Sequence, residues 1–340
     1  MSDFLEKILV NKQGLIATAI AGFGSLIAEA WIGKIGYAFV FGLAAIVLFV
    51  GYLEEKKKAK LYKNGTVPVP IVINVGDNTD NTNYLALLVS EIEKNDEQFV
   101  DFQTNLAKYF NITEDMLMFK YDGDLYDNNR LISFLQIIRY ELNDIQSRLQ
   151  GNAHFHIFFL RRPAFGLAIG GMFSRDGIIV YQNNDSKNNI DRIATIDTRQ
   201  YKESIDSYKH FKMEKSFNNK ENQTLLIVIQ VSSHMVDVNH RDFAHFENKL
   251  ILTRIGNGTI PYDQESVDSG IWIEHAQELY NIINKIRIEF KHFTIAHSMP
   301  ESLAIILGMG LDNYWDISVT QYEDDHYPEV INLKKIKYYF

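Results

Sequence analysis

The sequence predicts an α/β protein with an apolar two-helix hairpin at the N-terminus, followed by two Rossmann-type halves in tandem. Three observations carry that expectation. Residues 14–33 and 35–53 are nearly uncharged stretches of about 20 residues each, the length a helix needs to span a bilayer. After residue 60, buried-strand patterns alternate with helical ones, which implies mainly parallel, doubly wound sheets. One strand–helix phrase is written twice, as "HFHIFFLRRPAFGLAIGG" at 154–171 and "HFTIAHSMPESLAIILG" at 292–308.

Both copies begin with His-Phe, alternate through a short apolar run, break at a Pro, restart as an apolar helix and close on Gly. The equivalences are His154/His292, Pro163/Pro300, Ala168/Ala304 and Gly171/Gly308, with one-residue gaps. Their offset of about 137 residues is far longer than a solenoid repeat of about 20–50 and suits a duplicated domain. The expected divisions are 1–60 for the hairpin, 61–198 for the first half and 199–340 for the second.

Composition narrows the function classes. The chain has 340 residues, 46% hydrophobic and 23% charged, as expected of a folded protein of two or three domains. It has no Cys, which excludes disulfides, a thiol nucleophile and thiolate metal sites. Residues 1–60 hold seven Lys against five acids, whereas the remainder carries 27 basic and 38 acidic side chains. That acidic balance argues against long nucleic acid, which is bound through a broad basic face. A small phosphate ligand needs only a few cations and backbone N–H groups.

The two apolar stretches are separated only by Gly33-Lys34 and read as a transmembrane hairpin. Trp31, Tyr37 and Tyr52 lie near its ends, where amphipathic rings collect. Lys7 and Lys12 precede it and Lys56, Lys57, Lys58 and Lys60 follow it, so the positive-inside bias places both termini in the cytosol. Two alternatives stand beside this reading: signal-peptide cleavage after Ala28-Glu29-Ala30, and a buried hairpin in a soluble protein. Ala17, Ala21 and Ser25, with Ala38 and Gly42, form small-residue stripes suited to close helix packing, either within one hairpin or between protomers.

"LYKNGTVP" is a linker with an Asn-Gly turn. "VPIVINVG" (69–76) reads as a buried strand leading into the polar loop "DNTDNTN", followed by helical patterns at 84–95, 97–110 and 129–149. The strand at 154–160, a Pro-led helix and the strand "GIIVYQ" (177–182) complete the first half. The polar stretch 183–223 is expected to connect the halves. In the second half "TLLIVIQV" (224–231) is the strand, "SSHMVDVNH" its polar loop and "SGIWIEHAQELYNIINKIRIEF" the long helix. The strand "HFTIAHS", a Pro-led helix and the strand "YWDISVTQY" then follow.

No G-x-x-x-x-G-K-[ST] loop, G-x-S-x-G elbow or H-E-x-x-H helix is present. His234, Asp237, His240 and His245 are a weak metal candidate against a solvated His-rich loop, and the sequence is expected to need no cofactor, metal or catalytic residue. In open α/β sheets, ligands bind beyond the carboxyl ends of the strands. Four segments should converge there: Asp77–Asn78, Arg161–Arg162, Ser232–Ser233–His234 and His297–Ser298. Arg161 and Arg162 sit before a helix N-terminus, where charge and free N–H groups reinforce each other on an anion; the alternative is a surface Arg pair. His297 either donates to a phosphate or stacks on a base, or is simply a solvated His. Tyr314 and Trp315 are either stacking platforms or core residues.

The duplicated strand–Pro-helix–Gly units, about 270 residues in all, resemble the SAVED domain, a fused pair of CARF-like Rossmann folds. Together with the hairpin they look like a transmembrane-SAVED effector of bacterial CBASS anti-phage systems. The resemblance implies a cyclic di- or oligonucleotide ligand, ligand-induced homo-oligomerisation, the lipid bilayer as second partner and the bacterial inner membrane as location. It implies a non-enzymatic effector that disrupts that membrane. A membrane-tethered phosphodiesterase and a passive anchored sensor are the alternatives. The site positions come from strand–helix geometry, not from the resemblance.

Overall fold

The computed structural model describes residues 16, 19–22, 24, 34–62, 65–76, 81–94, 101–124, 127–173, 177–184, 189–196, 202–219, 221–232, 234–256, 260, 270–311 and 315–337. The chain divides into two compact units. One is Met1–Gly65 with Gln98–Asp101, and the other is Thr66–Glu97 with Phe102–Phe340.

In the first unit, helix α1 (Lys34–Ala59) ends in Lys56, Lys57 and Lys58. Its apolar side chains are largely uncovered: Phe41, Ile46 and Phe49 are 57–61% exposed. Gly24 lies against it, since a Cβ there would come within 2.8 Å of Val40 Cγ1. The two apolar stretches therefore pack together, and the missing side chain lets them do so. Among the described residues no helix is long and apolar enough to cross a membrane. Where the side chains of α1 are described, its uncharged run covers 40–53, about 21 Å at 1.5 Å per residue against a hydrocarbon core of about 30 Å.

The second unit contains two sheets. The first is ordered β2-β1-β3-β4-β5, with β1 Val67–Val75, β2 Met118–Tyr121, β3 Ala153–Leu160, β4 Ile178–Asn184 and β5 Asn189–Ile196. Strands β1 to β4 are parallel, and β5 returns antiparallel to β4. β1 is buried throughout, as its unbroken apolar run demands. It tolerates Pro68 and Pro70 for a geometric reason. Val67 N donates to Asn152 O on the β3 side and Val72 N to Leu117 O on the β2 side. The missing N–H groups at 68 and 70 thus point where β2 has not yet begun, because β2 pairs only from Val72 onward.

Helices α2 (Asn81–Lys94) and α3 (Phe102–Phe110) connect β1 to β2, and α4 (Asn128–Arg148) connects β2 to β3. Asp127 caps α4 by accepting from Arg130 N. The Pro-led α5 (Pro163–Met172) then joins β3 to β4.

The second sheet is ordered β11-β10-β9-β7-β8-β6. Its strands are β6 Phe211–Phe217, β7 Thr224–Gln230, β8 Asn248–Arg254, β9 His292–Ser298, β10 Ile317–Thr320 and β11 Glu329–Asn332. Helix α6 (Ile271–Ile286) precedes β9, α7 (Glu301–Leu311) follows it, and α8 (Leu333–Lys337) follows β11. Within it, β8-β7-β9-β10 repeats the parallel order β2-β1-β3-β4, with β11 in the place of β5. After β7 a loop with one 3-10 turn, Arg241–Phe243, stands where the first half has helices.

Two expectations need correction. The stretch 183–223 is not a plain connection: it supplies β5 and β6, the antiparallel strand at one edge of each sheet. The glycine that matches Gly308 in packing is Gly170, not Gly171. A Cβ on Gly170 would overlap Ile305 O, and one on Gly308 would overlap Leu167 O. Helices α5 and α7 therefore lie backbone to backbone at the centre of this unit, almost wholly buried. Helix α7 also touches β3 and β4, and α5 touches β11. Each copy of the repeated phrase packs on the other.

Candidate functional site

Each half has the strand order 2-1-3-4, in which the connections leave the first and third strands on opposite sides. That leaves a crevice beyond their carboxyl ends. In the first half those ends are Val75–Gly76 and Leu160–Arg162. Gly76 has φ +84°, and a Cβ there would sit 3.3 Å from Arg162 Nε. Only glycine gives both the left-handed turn and the room for the guanidinium.

Arg161 (φ 63°) and Arg162 (φ 51°) are themselves both left-handed, which brings the chain sharply from β3 into α5. Arg161 is exposed. Arg162 NH2 is held 2.8 Å from Glu323 Oε1, in the loop after β10 of the other half. Asp77 and Asn78, which follow Gly76, lie outside the described residues.

In the second half the corresponding ends are drawn together by Ser298. Its Oγ accepts from Val231 N at 3.2 Å, and its carbonyl accepts from Ser232 N at 3.0 Å. His234 N donates to Ser232 Oγ, and that hydroxyl donates to His234 O. Ser232, His234 and Ser298 are thus brought together, with several of their donors already used within the loop. Ser233 lies outside the described residues.

His297 stands on β9 opposite Ile229 of β7. Its Nδ1 accepts from Met299 N at 3.4 Å, which puts the ring proton on Nε2. That Nε2 is buried and meets no partner among the described residues. Burial pulls the His297 pKa down to about 4, so the ring is neutral at physiological pH. The ring is therefore an uncharged N–H donor with no acceptor among the described residues.

The two crevices share a neighbour, the carboxyl end of β10, which pairs with β9. Just beyond it, Gln321 Oε1 accepts from Ala164 N in the first turn of α5. The first half returns the contact: Gln182 of β4 accepts from Ser302 N in the first turn of α7 and donates to Glu301 Oε2 at 2.9 Å. Each half thus caps the other half's Pro-led helix with a glutamine, Gln182 from within its fourth strand and Gln321 from just beyond its fourth strand. Sequence reasoning missed Gln182, Gln321 and Glu323. The pattern Ile-x-Val-x-Gln at 178–182 and 317–321 was a signal for the first two.

The loop after β7 is fastened to the loop after β10. Asp242 Oδ2 accepts from Tyr327 N at 2.8 Å, and this bond is the main cause that lowers its pKa. His240 Nε2 lies 3.1 Å from Asp325 O, and Asp237 N donates to the Tyr327 hydroxyl. These contacts account for the His-rich loop. His245 packs on Phe246, and no group of three or more His, Asp or Glu among the described residues is arranged to hold a metal.

Trp315 is already covered from within the chain, stacked on Tyr280 with Arg287 over its ring at 4.7 Å. It stands before β10, at the opposite end of the sheet from the crevices. Tyr314 lies outside the described residues. A cleft lined by Leu131, Ile331, Asn332 and Lys335 lies at the amino end of β10, since Asn332 pairs with Ser318.

No family model matches the sequence, and no curated protein does. Among solved structures the chain is similar to Acinetobacter baumannii Cap4, a SAVED/CARF-domain containing receptor, in two complexes. With the cyclic trinucleotide 3'3'3'-cAAA the TM-score is 0.50 at 12% identity, covering 86% of this chain and 60% of that one. With 2'3'3'-cAAA the TM-score is 0.50 at 12% identity, covering 86% and 59%. The chain therefore has a SAVED/CARF-like fold, and it spans about three fifths of the length of the receptors it matches.

Proposed function

We propose that this chain is a membrane-anchored receptor for a cyclic oligonucleotide that assembles on ligand and disrupts the bacterial inner membrane in anti-phage defence. The observation that carries the receptor part is the reach of Arg162, at the end of β3, to Glu323 beyond β10, the strand that pairs with β9. Near the end of β9, His297 holds a buried neutral N–H that meets no partner among the described residues. Such a crevice offers charge to a phosphate and a neutral donor to a base or phosphate oxygen. The similar Cap4 structures hold cyclic triadenylates, which suggests the ligand class.

The membrane part rests on the N-terminal unit. Its sequence is uncharged from 35 to 53, its apolar side chains stand uncovered on α1, and lysines close the helix. In this reading binding proceeds without turnover.

The test is calorimetric titration of the purified full-length protein in detergent with 3'3'3'-cAAA, followed by chromatography of the recovered nucleotide. Binding with intact nucleotide is expected. Arg161→Ala with Arg162→Ala should weaken it by about two to four decades, at roughly 1.5–3 kcal/mol per charge-assisted contact. Unchanged affinity in that double variant would move the phosphate seat elsewhere. Hydrolysis of the nucleotide would favour the phosphodiesterase reading.

A further inference from the structure

The ion pair between Arg162 and Glu323 is unlike the other polar contacts joining the halves. Gln182 and Gln321 bond neutral N–H groups, whereas Glu323 places a carboxylate on the guanidinium that leads into α5. The carboxylate is only half used. Oε1 bonds Arg162 at 2.8 Å, while Oε2 is buried and meets no partner among the described residues. A buried carboxylate oxygen without a donor is costly, and swinging out to water removes that cost.

One end of the bond is also strained. Arg161 and Arg162 are both left-handed, a costly conformation for bulky side chains that persists only where the surroundings hold it. At the other end Asp324 (φ 48°) and Asp325 (φ 61°) are the central pair of a hairpin turn closed between Glu323 and His326, where left-handed Asp is ordinary.

We infer that Glu323 sits in the seat of a ligand phosphate, so that the Arg162–Glu323 pair is a latch which an anion opens by replacing the carboxylate. This rests on the reading that the crevice binds a phosphate-bearing ligand. The geometry suits the exchange, because a phosphate oxygen can take the place of Oε1 on the same guanidinium and also receive donors that a carboxylate on a loop cannot reach.

The turn is closed by its own backbone bonds between Glu323 and His326, so release of the Glu323 side chain lets it shift as a unit. That turn leads directly to Tyr327, whose N–H bonds Asp242 in the loop after β7. Opening the latch therefore passes movement from the first half's arginine to a surface loop of the second half. The glutamine caps and the α5–α7 packing stay in place.

The test compares full-length wild type with Glu323→Gln, a variant that keeps the side chain's shape and can still bond Arg162. Inorganic pyrophosphate and 3'3'3'-cAAA are the two probes, each titrated by calorimetry. Removing the competing charge should tighten pyrophosphate binding about tenfold, the factor by which a mostly closed latch lowers apparent affinity. In wild type, pyrophosphate should also speed amide hydrogen exchange across 322–326. Equal pyrophosphate affinity in the two proteins, or no pyrophosphate binding to either, overturns the latch. Tighter pyrophosphate binding in Glu323→Gln with no binding of any cyclic oligonucleotide keeps the latch and removes the receptor reading. Equal affinity of both proteins for both probes keeps the receptor and removes the latch.

Discussion

His297 shows what one side chain discloses at the residue scale. It has the chemistry of a ligand-binding group, a buried neutral donor with no acceptor among the described residues. Its pKa also makes it a stability element. The folded value is about 4 against an ordinary 6.5. Between those values the unfolded chain binds a proton that the folded one does not. Stability is therefore full above about pH 6.5, declines as the pH falls toward 4, and levels off below that. His275, buried and held to about 4 mainly by desolvation, adds the same dependence. A 2.5-unit depression is worth ~3 kcal/mol at most for each ring. Urea unfolding at pH 7 and pH 4.5 should show the loss, and His297→Gln should remove about half of the part due to these two rings. A variant whose pH slope equals that of wild type would mean that His297 is solvated.

At the scale of elements, the unit is organised by two helices pressed together at glycines. Gly170 and Gly308 each admit a backbone carbonyl of the other helix where a methyl group would sit. Gly308→Ala must push α5 and α7 apart, and it should cost at least about 3 kcal/mol, at the upper end of overpacking penalties. Gln321→Leu removes only one acceptor and should cost about 1–2 kcal/mol. Chemical denaturation of the three proteins should rank them in that order, and a Gly308→Ala protein as stable as wild type would refute the close approach. The repeated phrase was legible because buried parallel strands and Pro-led helices leave long apolar runs with sharp breaks. β6, "FKMEKSF", was not: it is an edge strand with mostly uncovered side chains, so its sequence carries too little apolar signal. That Ser232, His234 and Ser298 meet followed from strand order alone. Glu323 could not be read that way, because its partner Arg162 is 161 positions distant and no local pattern links them.

At the scale of the whole molecule, the proposed disruption of a bilayer makes a demand on assembly. Two helices cannot enclose a water path, so under that proposal several protomers associate, through a surface outside the contact made within one hairpin. Two glycines of the first unit offer the comparison. Gly24 is filled against Val40, whereas a Cβ on Gly42 would meet nothing within 4 Å. Gly24→Leu should therefore break the hairpin itself and lower yield from membranes. Gly42→Leu should leave the hairpin and ligand binding intact but obstruct packing between protomers. Deleting residues 1–60 removes most of the N-terminal compact unit and should leave a protein that still binds 3'3'3'-cAAA and assembles with it. Dye release from liposomes carrying the full-length protein is the decisive measurement, made with and without the nucleotide. Leakage should require the nucleotide, fall several-fold in Gly42→Leu and be absent in the deletion. Nucleotide binding without leakage in any arrangement would leave a passive anchored sensor. Leakage equal in Gly42→Leu and wild type would place the protomer contact on another face of α1.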